Sequence, residues 1–159
     1  MAHGEALDVG GLFPIPIQVH RELSGQLWMD GNNMESTPVQ VTVEGTYYLY
    51  MLRIFTSDEF SGDIHYSDTT LSTDHRAPLA LFYQGPRSMG FLNVFDPSGN
   101  LDPVYDSSLM QEGFFSTFVL LQSPYDGKTS SLLVSAPASS RKEAVDLANR
   151  LFRNHVGFD

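Results

Sequence analysis

Cysteine is absent from all 159 residues. That excludes thiol nucleophiles, thiolate zinc sites and iron–sulfur clusters. It leaves the redox compartment open. Lysine is nearly absent, with only Lys128 and Lys142. Charged residues make up 18% of the chain, below the usual ~25%. No stretch approaches the ~18 consecutive apolar residues of a membrane-spanning helix. Residues 1–20 lack a basic start and a long apolar run, and Pro14 and Pro16 interrupt them. No signal peptide is therefore expected, and a cytoplasmic location is the default. Neither GxxxxGK[ST] nor GxGxxG occurs, so nucleotide binding by those loops has no support. There is no internal repeat, heptad run or low-complexity tract, and no cofactor is expected.

What the chain does have is acid and aromatic residues. The formal charge is −10, and aromatics reach 12%. Four of the nine basic residues (Arg141, Lys142, Arg150 and Arg153) lie near the C-terminus, which leaves the body before them strongly acidic. An acidic body argues against nucleic acid and anionic membrane as partners. Exposed surface normally carries charge, whereas interfaces are poor in lysine and rich in Tyr, Phe, Met and Arg. The composition thus fits either a β-rich domain with an aromatic core or a surface covered by a protein partner.

The length fits a single domain, residues 1–159, able to bury roughly two thirds of its unfolded surface. Residues 1–10 carry no pattern and read as a loose start. Residues 12–23 alternate, with Ile15, Ile17 and Val19 on one face and Pro16, Gln18, His20 and Glu22 on the other. Period two with two prolines predicts an edge strand, because proline cannot donate to a ladder. A short strand follows at 26–30 around Trp28, then a Gly-Asn-Asn turn.

Residues 38–43 and 46–55 are expected to form a hairpin across Glu44-Gly45. The second segment is apolar or aromatic on both faces, as a central strand would be. Residues 56–77 read as a long polar section, interrupted at most by a short strand at 64–66. Residues 78–83 and 88–95 suggest another hairpin, and 96–106 a turn region rich in Pro, Gly, Asn and Asp.

The C-terminal third is the clearest unit: strands at 114–122 and 130–137, then a helix at about 140–154. Ser140 and Glu143 fit a capping box. Ala144, Leu147, Ala148, Leu151 and Phe152 share one helical face. Asp146 stands four residues before Arg150, the favourable order for an ion pair. The expected fold class is α+β: a mainly antiparallel sheet of six to nine strands, curled into a partial barrel or a sandwich, with one amphipathic C-terminal helix packed on it. The sheet face opposite the helix, and the 56–77 section, are the expected places for a partner.

Motifs that carry chemistry are weak. His65, Asp68, Asp74 and His75 fall within one polar section, and imidazole with carboxylate suits zinc, iron or manganese. Their spacing matches no known site. The segment DPSGNLDPVYD lacks the glycine and the terminal glutamate of a calcium loop. Ser88 in GPRSMG lacks the glycine spacing of a nucleophile elbow. Trp28, Tyr48, Tyr50, Tyr66 and Tyr83 are the candidate binding aromatics, since each joins an apolar body to a polar tip. Alternation puts Tyr48 and Tyr50 on one face and Tyr47 on the other.

These features point to a non-catalytic binding or assembly subunit that contacts a protein partner or a second copy of itself. The first alternative is a small metal-dependent or hydrolytic enzyme with its site in 56–77. The second is a small ligand held inside a curled sheet.

Overall fold

A computed structural model describes residues 13–31, 35–50, 58–67, 79–84, 87–92, 105–124, 131–152 and 157–159. For 79–84, 87–92, 105–107 and 123–124 the main chain alone is described. The fold is an antiparallel α+β arrangement in which eight strands follow one another around a barrel. They are β1 (Pro14–Met29), β2 (Ser36–Tyr50), β3 (Asp58–Tyr66), β4 (Leu79–Gln84), β5 (Arg87–Leu92), β6 (Tyr105–Glu112), β7 (Thr117–Pro124) and β8 (Leu132–Ala136). A helix, α1 (Arg141–Leu151), follows β8. The expectation of a curled antiparallel sheet with one C-terminal helix is met.

Alternation along the strands builds two cores. Val19, Val41, Val43, Tyr47, Phe60, Ile64, Leu109, Phe118 and Leu120 point inward and fill the barrel. Trp28, Met110, Val119 and Leu133 point outward and meet Ala144, Ala148 and Leu151 of α1. A strand covered on both faces loses its polar alternation; residues 25–28 of β1, buried without a break, lie where both cores meet. The sheet face opposite the helix is therefore the barrel interior.

Three strand expectations change. β2 runs unbroken through Glu44-Gly45, paired on one side with β1 and on the other with β3. Gly45 marks a close approach to Gly62 of β3 and makes no turn. The polar 56–77 section contains the nine residues of β3, whose inward positions Asp58, Phe60, Ile64 and Tyr66 are too mixed in polarity to betray a strand. Trp28 belongs to the same strand as Pro14, because Ser24 and Gly25 continue β1 without a break.

The start of the expected strand 114–122 is a turn. Gly113, Phe114 and Phe115 have φ of 59°, 52° and 63°, a region costly for bulky residues. Their placement is held by side chains. Phe115 N–H donates to Gln111 Oε1 at 2.9 Å, and Arg21 of β1 donates to the carbonyls of Phe114 and Gly113, both at 3.2 Å. The turn drives the Phe115 ring into full burial against Phe60 and Phe118. Phe114 meets Tyr47 edge-on at 4.9 Å.

The helix is anchored at both ends. Ser140 Oγ accepts from Glu143 N–H at 3.2 Å, as a cap should. Glu143 reaches one residue further than a capping box requires and accepts from the N–H and hydroxyl of Ser139, both at 2.7 Å. Asp146 pairs with Lys142, and Arg150 reaches Glu112 of β6 at 2.7 Å. Arg141 donates to the carbonyls of Met29, Glu35 and Asp159. Its guanidinium also lies 5.3 Å from the Trp28 ring centre.

Candidate interaction surface

β1 is sixteen residues long, but β8 pairs only with its last part, Gln26–Met29. The remainder overhangs as a two-stranded ribbon with β2, in continuous register from Pro14↔Tyr50 to Trp28↔Ser36. Main-chain groups of a strand alternate in direction, and two hydrogen bonds set the direction here. Ser24 accepts from Ala138 N–H at 3.0 Å, and Asp30 N–H donates to Ser131 at 3.1 Å. Both are even-numbered, so the even positions of β1 turn toward the β8 side. Where β8 is missing, the N–H and C=O groups of Gln18, His20 and Glu22 face outward. Among the described residues they have no ladder partner on that side.

Pro14 and Pro16 fall on the same outward-facing parity, where a missing N–H costs no bond to β2. The two prolines thus report the edge that the sequence led one to expect. They also blunt its first two positions, leaving Gln18–Glu22 as the open part.

The surroundings are exposed. Phe13 and Ile15 retain 42% and 45% of their accessible surface, unusual for large apolar side chains. His20 contacts Glu44 Oε1 at 3.3 Å and Glu22 Oε1 at 3.5 Å, with all three side chains well exposed. Arg21 points the other way, occupied by the 113–114 carbonyls.

The candidate aromatics separate by strand parity. Tyr48 and Tyr50 lie half-buried on the outer face of the ribbon, opposite Pro16 and Pro14 and beside Glu59. Burial, then the Glu59 carboxylate and Tyr48, raise the Tyr50 phenol above its ordinary value. Trp28 is only 2% exposed; its Nε1–H donates to Ser135 Oγ at 3.0 Å, and Ser135 in turn donates to the Ala144 carbonyl at 2.9 Å. Trp28 is thus a core residue under the helix, not part of an exposed platform. Tyr66 points into the barrel, where its buried hydroxyl has no hydrogen-bond partner among the described residues. Desolvation drives its phenol far upward. The side chain of Tyr83 lies outside the described residues.

Of the candidate metal ligands, His65 sits on the outer face of β3, 4.0 Å from Asp63. Asp68, Asp74 and His75 lie outside the described residues. No cluster of three or more His, Asp or Glu residues suited to a metal occurs among the described residues. Asp58, buried, accepts from Tyr47 Oη–H at 2.8 Å and from Tyr50 N–H at 3.0 Å, an internal support for the β2–β3 pair. No helix among the described residues is long and apolar enough to cross a membrane.

Sequence reasoning found the edge but passed over Gln18, His20 and Glu22 as its open part. The available signal was their shared parity with the prolines. The chain matches no known protein family, no curated protein and no solved structure, so its own geometry carries the functional argument.

Proposed function

We propose that this chain is a non-catalytic binding or assembly subunit that takes up a protein strand along the open edge of β1. The observation that carries the reading is the outward row of main-chain groups at Gln18, His20 and Glu22, exposed and unpaired among the described residues. Such a row is a template for strand addition, with main-chain bonds giving affinity and flanking side chains giving selectivity. Exposed Phe13 and Ile15 supply an apolar contact beside it, and Tyr48 and Tyr50 an amphipathic one on the other face. Soluble proteins commonly guard such edges with lysine; β1 has none.

A panel of fluorescent ten-residue peptides with alternating Val and Thr, read by anisotropy, tests the reading. His20→Pro deletes the central outward N–H without removing a bond to β2. Wild-type chain is expected to bind members of the panel, and His20→Pro to bind at least about tenfold more weakly, the equivalent of one or two net hydrogen bonds. Equal binding by the two proteins, or no binding across the panel, overturns it.

A second reading, a small ligand inside the barrel, is favoured by one observation: the orphan hydroxyl of Tyr66. Eight-stranded barrels are wide enough either to be filled by side chains or to hold one small molecule. Stabilisation of the wild type by small hydrogen-bonding aromatics, lost in Tyr66→Phe, supports that reading; no shift with any of them removes it.

A further inference from the structure

We infer that the strand taken up at this edge is a short basic one: an extended segment of another protein, with Lys or Arg opposite Glu22 and His20. The inference rests on the strand-addition reading and names the chemistry of its partner.

The length follows from what bounds the edge. Beyond Glu22 the outward side of β1 is taken: Ala138 N–H already donates to the Ser24 carbonyl, and β8 pairs from Gln26 onward. At the other end Pro16 has no N–H to give. The open positions are therefore Gln18, His20 and Glu22, and an antiparallel segment that pairs with all three spans about five residues. Its first residue stands opposite Glu22, its third opposite His20 and its fifth opposite Gln18. The chain before the first residue must turn away from the sheet, because Ala138 lies in line with it. A flexible peptide meets that demand; a long, stiff strand does not.

The charge follows from the side chains around those positions. Directly opposite residues of neighbouring strands share a face. The first, third and fifth residues of the segment thus lie on the outer face with Glu22, His20 and Gln18. Across β1, β2 and β3 that face carries Glu22, Glu44, Glu59 and Asp63. Arg21 is the only Lys or Arg in the three strands, and it is turned inward to the carbonyls of Phe114 and Gly113.

Two of the acids converge on the open edge. The His20 ring meets Glu44 Oε1 at 3.3 Å through Nδ1 and Glu22 Oε1 at 3.5 Å through Nε2, so one imidazole gathers both carboxylates. A cation on the first residue of the segment faces Glu22 directly. One on the third stands diagonal to Glu22, within reach of a long side chain, and extends over the imidazole toward Glu44. Opposite charges across a strand pair stabilise it and like charges oppose it. The formal charge of −10 also draws a basic segment in and repels an acidic one before contact.

Three fluorescent peptides test the inference by anisotropy: Gly-Ser-Arg-Val-Arg-Val-Thr, and versions with both Arg replaced by Thr or by Glu. At low salt the wild type is expected to bind the Arg peptide about three- to tenfold more tightly than the Thr peptide, the yield of two partly exposed ion pairs. The Glu peptide should bind more weakly than either, and salt should erase most of the preference. The double variant Glu22→Gln/Glu44→Gln should lose the preference and keep its affinity for the Thr peptide. Glu35→Gln/Asp146→Asn removes the same charge from exposed acids away from the edge and should keep the preference. Circular dichroism of each variant confirms that the barrel has formed. Equal binding of the Arg and Thr peptides by the wild type overturns the inference. So does a preference that survives in the Glu22/Glu44 variant, or one that is lost equally in the Glu35/Asp146 variant, where net charge alone would be the cause. In each of these cases a Thr peptide that binds the wild type more tightly than His20→Pro leaves strand addition standing, and only the partner's charge is wrong. If no peptide binds, both readings fall.

Discussion

Gly45 and Gly62 stand opposite each other in β2 and β3 so closely that a methyl group on either would lie 2.6 Å from the Cα of the other. The tip of the Phe60 ring would be 2.9 Å away in both cases, so the ring covers the gap that the two glycines leave. Strand glycine commonly marks such a close approach. Gly45→Ala and Gly62→Ala are each expected to lower stability by about 1–3 kcal/mol, the usual cost of forcing atoms into a filled core. Urea unfolding of the two variants checks this, and unchanged midpoints would refute the close contact.

The Gly113–Phe115 turn leads to a second prediction. Gln111 is buried in β6, and its side-chain carbonyl is the acceptor for Phe115 N–H. Gln111→Leu preserves volume but leaves that N–H buried and unpaired, at a cost of about 1–3 kcal/mol. It also loosens a turn that already holds two phenylalanines at positive φ. The variant should therefore loosen the seating of Phe114 and Phe115, read as faster hydrogen exchange at 113–116 together with a lower urea midpoint. Retention of wild-type exchange would refute the role given to Gln111.

How much of this was legible in the sequence depends on whether a residue's role is local. The helix, its Ser140 cap and its apolar stripe were readable because each rests on spacings of three and four within one segment. The β1 edge was readable because proline advertises a missing donor. Gly45 misled, since a glycine after a glutamate looks like a turn, and only the presence of Gly62 on another strand gives it a different purpose. Phe114 and Phe115 read as strand because nothing in their own segment reveals Arg21, more than ninety residues earlier in the chain, gripping their turn. Trp28 looked like a surface aromatic until Ser135 and the helix covered it. The open stretch from Gln18 to Glu22 depends on where β8 stops, a fact of the folded barrel rather than of β1.

Tyr66 offers a prediction of opposite sign. Its hydroxyl is buried with no hydrogen-bond partner among the described residues. Removing such a group also removes its desolvation penalty. Tyr66→Phe is expected to leave stability unchanged or to raise it by about 1 kcal/mol, against the destabilisation seen for most core substitutions. A loss of stability, measured by thermal and urea unfolding, would mean that the hydroxyl has a partner, such as an ordered water, in solution.

The helix cap makes stability depend on pH in a defined direction. Hydrogen bonds from Ser139, first its N–H and then its hydroxyl, hold the Glu143 carboxyl below its ordinary value. A group whose folded value is depressed contributes stability above the unfolded value and loses it as pH falls through the folded one. The cap should therefore weaken on acidification through and below the ordinary glutamate range. Glu143→Gln should flatten that part of the acid limb while changing little at neutral pH. An acid limb identical to the wild type would show that other carboxylates carry all of it.

Asn149 of α1 holds the main chain of Phe158 from both sides, accepting from its N–H at 2.7 Å and donating to its carbonyl at 3.2 Å. The clasp seats the Phe158 ring edge-on against Trp28 and Phe152, each 5.9 Å away between ring centres. Asn149→Ala is expected to cost about 1–3 kcal/mol through the two hydrogen bonds it removes. Phe158→Ala should cost more, about 3 kcal/mol, because a buried ring is deleted. The two act through one attachment, so their effects should not add. Once the ring is gone, the clasp has little left to position, and once the clasp is gone, the ring has already lost part of its packing. The double variant is therefore expected to fall short of the sum of the two single losses by about 0.5–3 kcal/mol, the range for residues sharing partners. Simple additivity in a double-mutant cycle would mean that the ring finds its seat against Trp28 without help from Asn149.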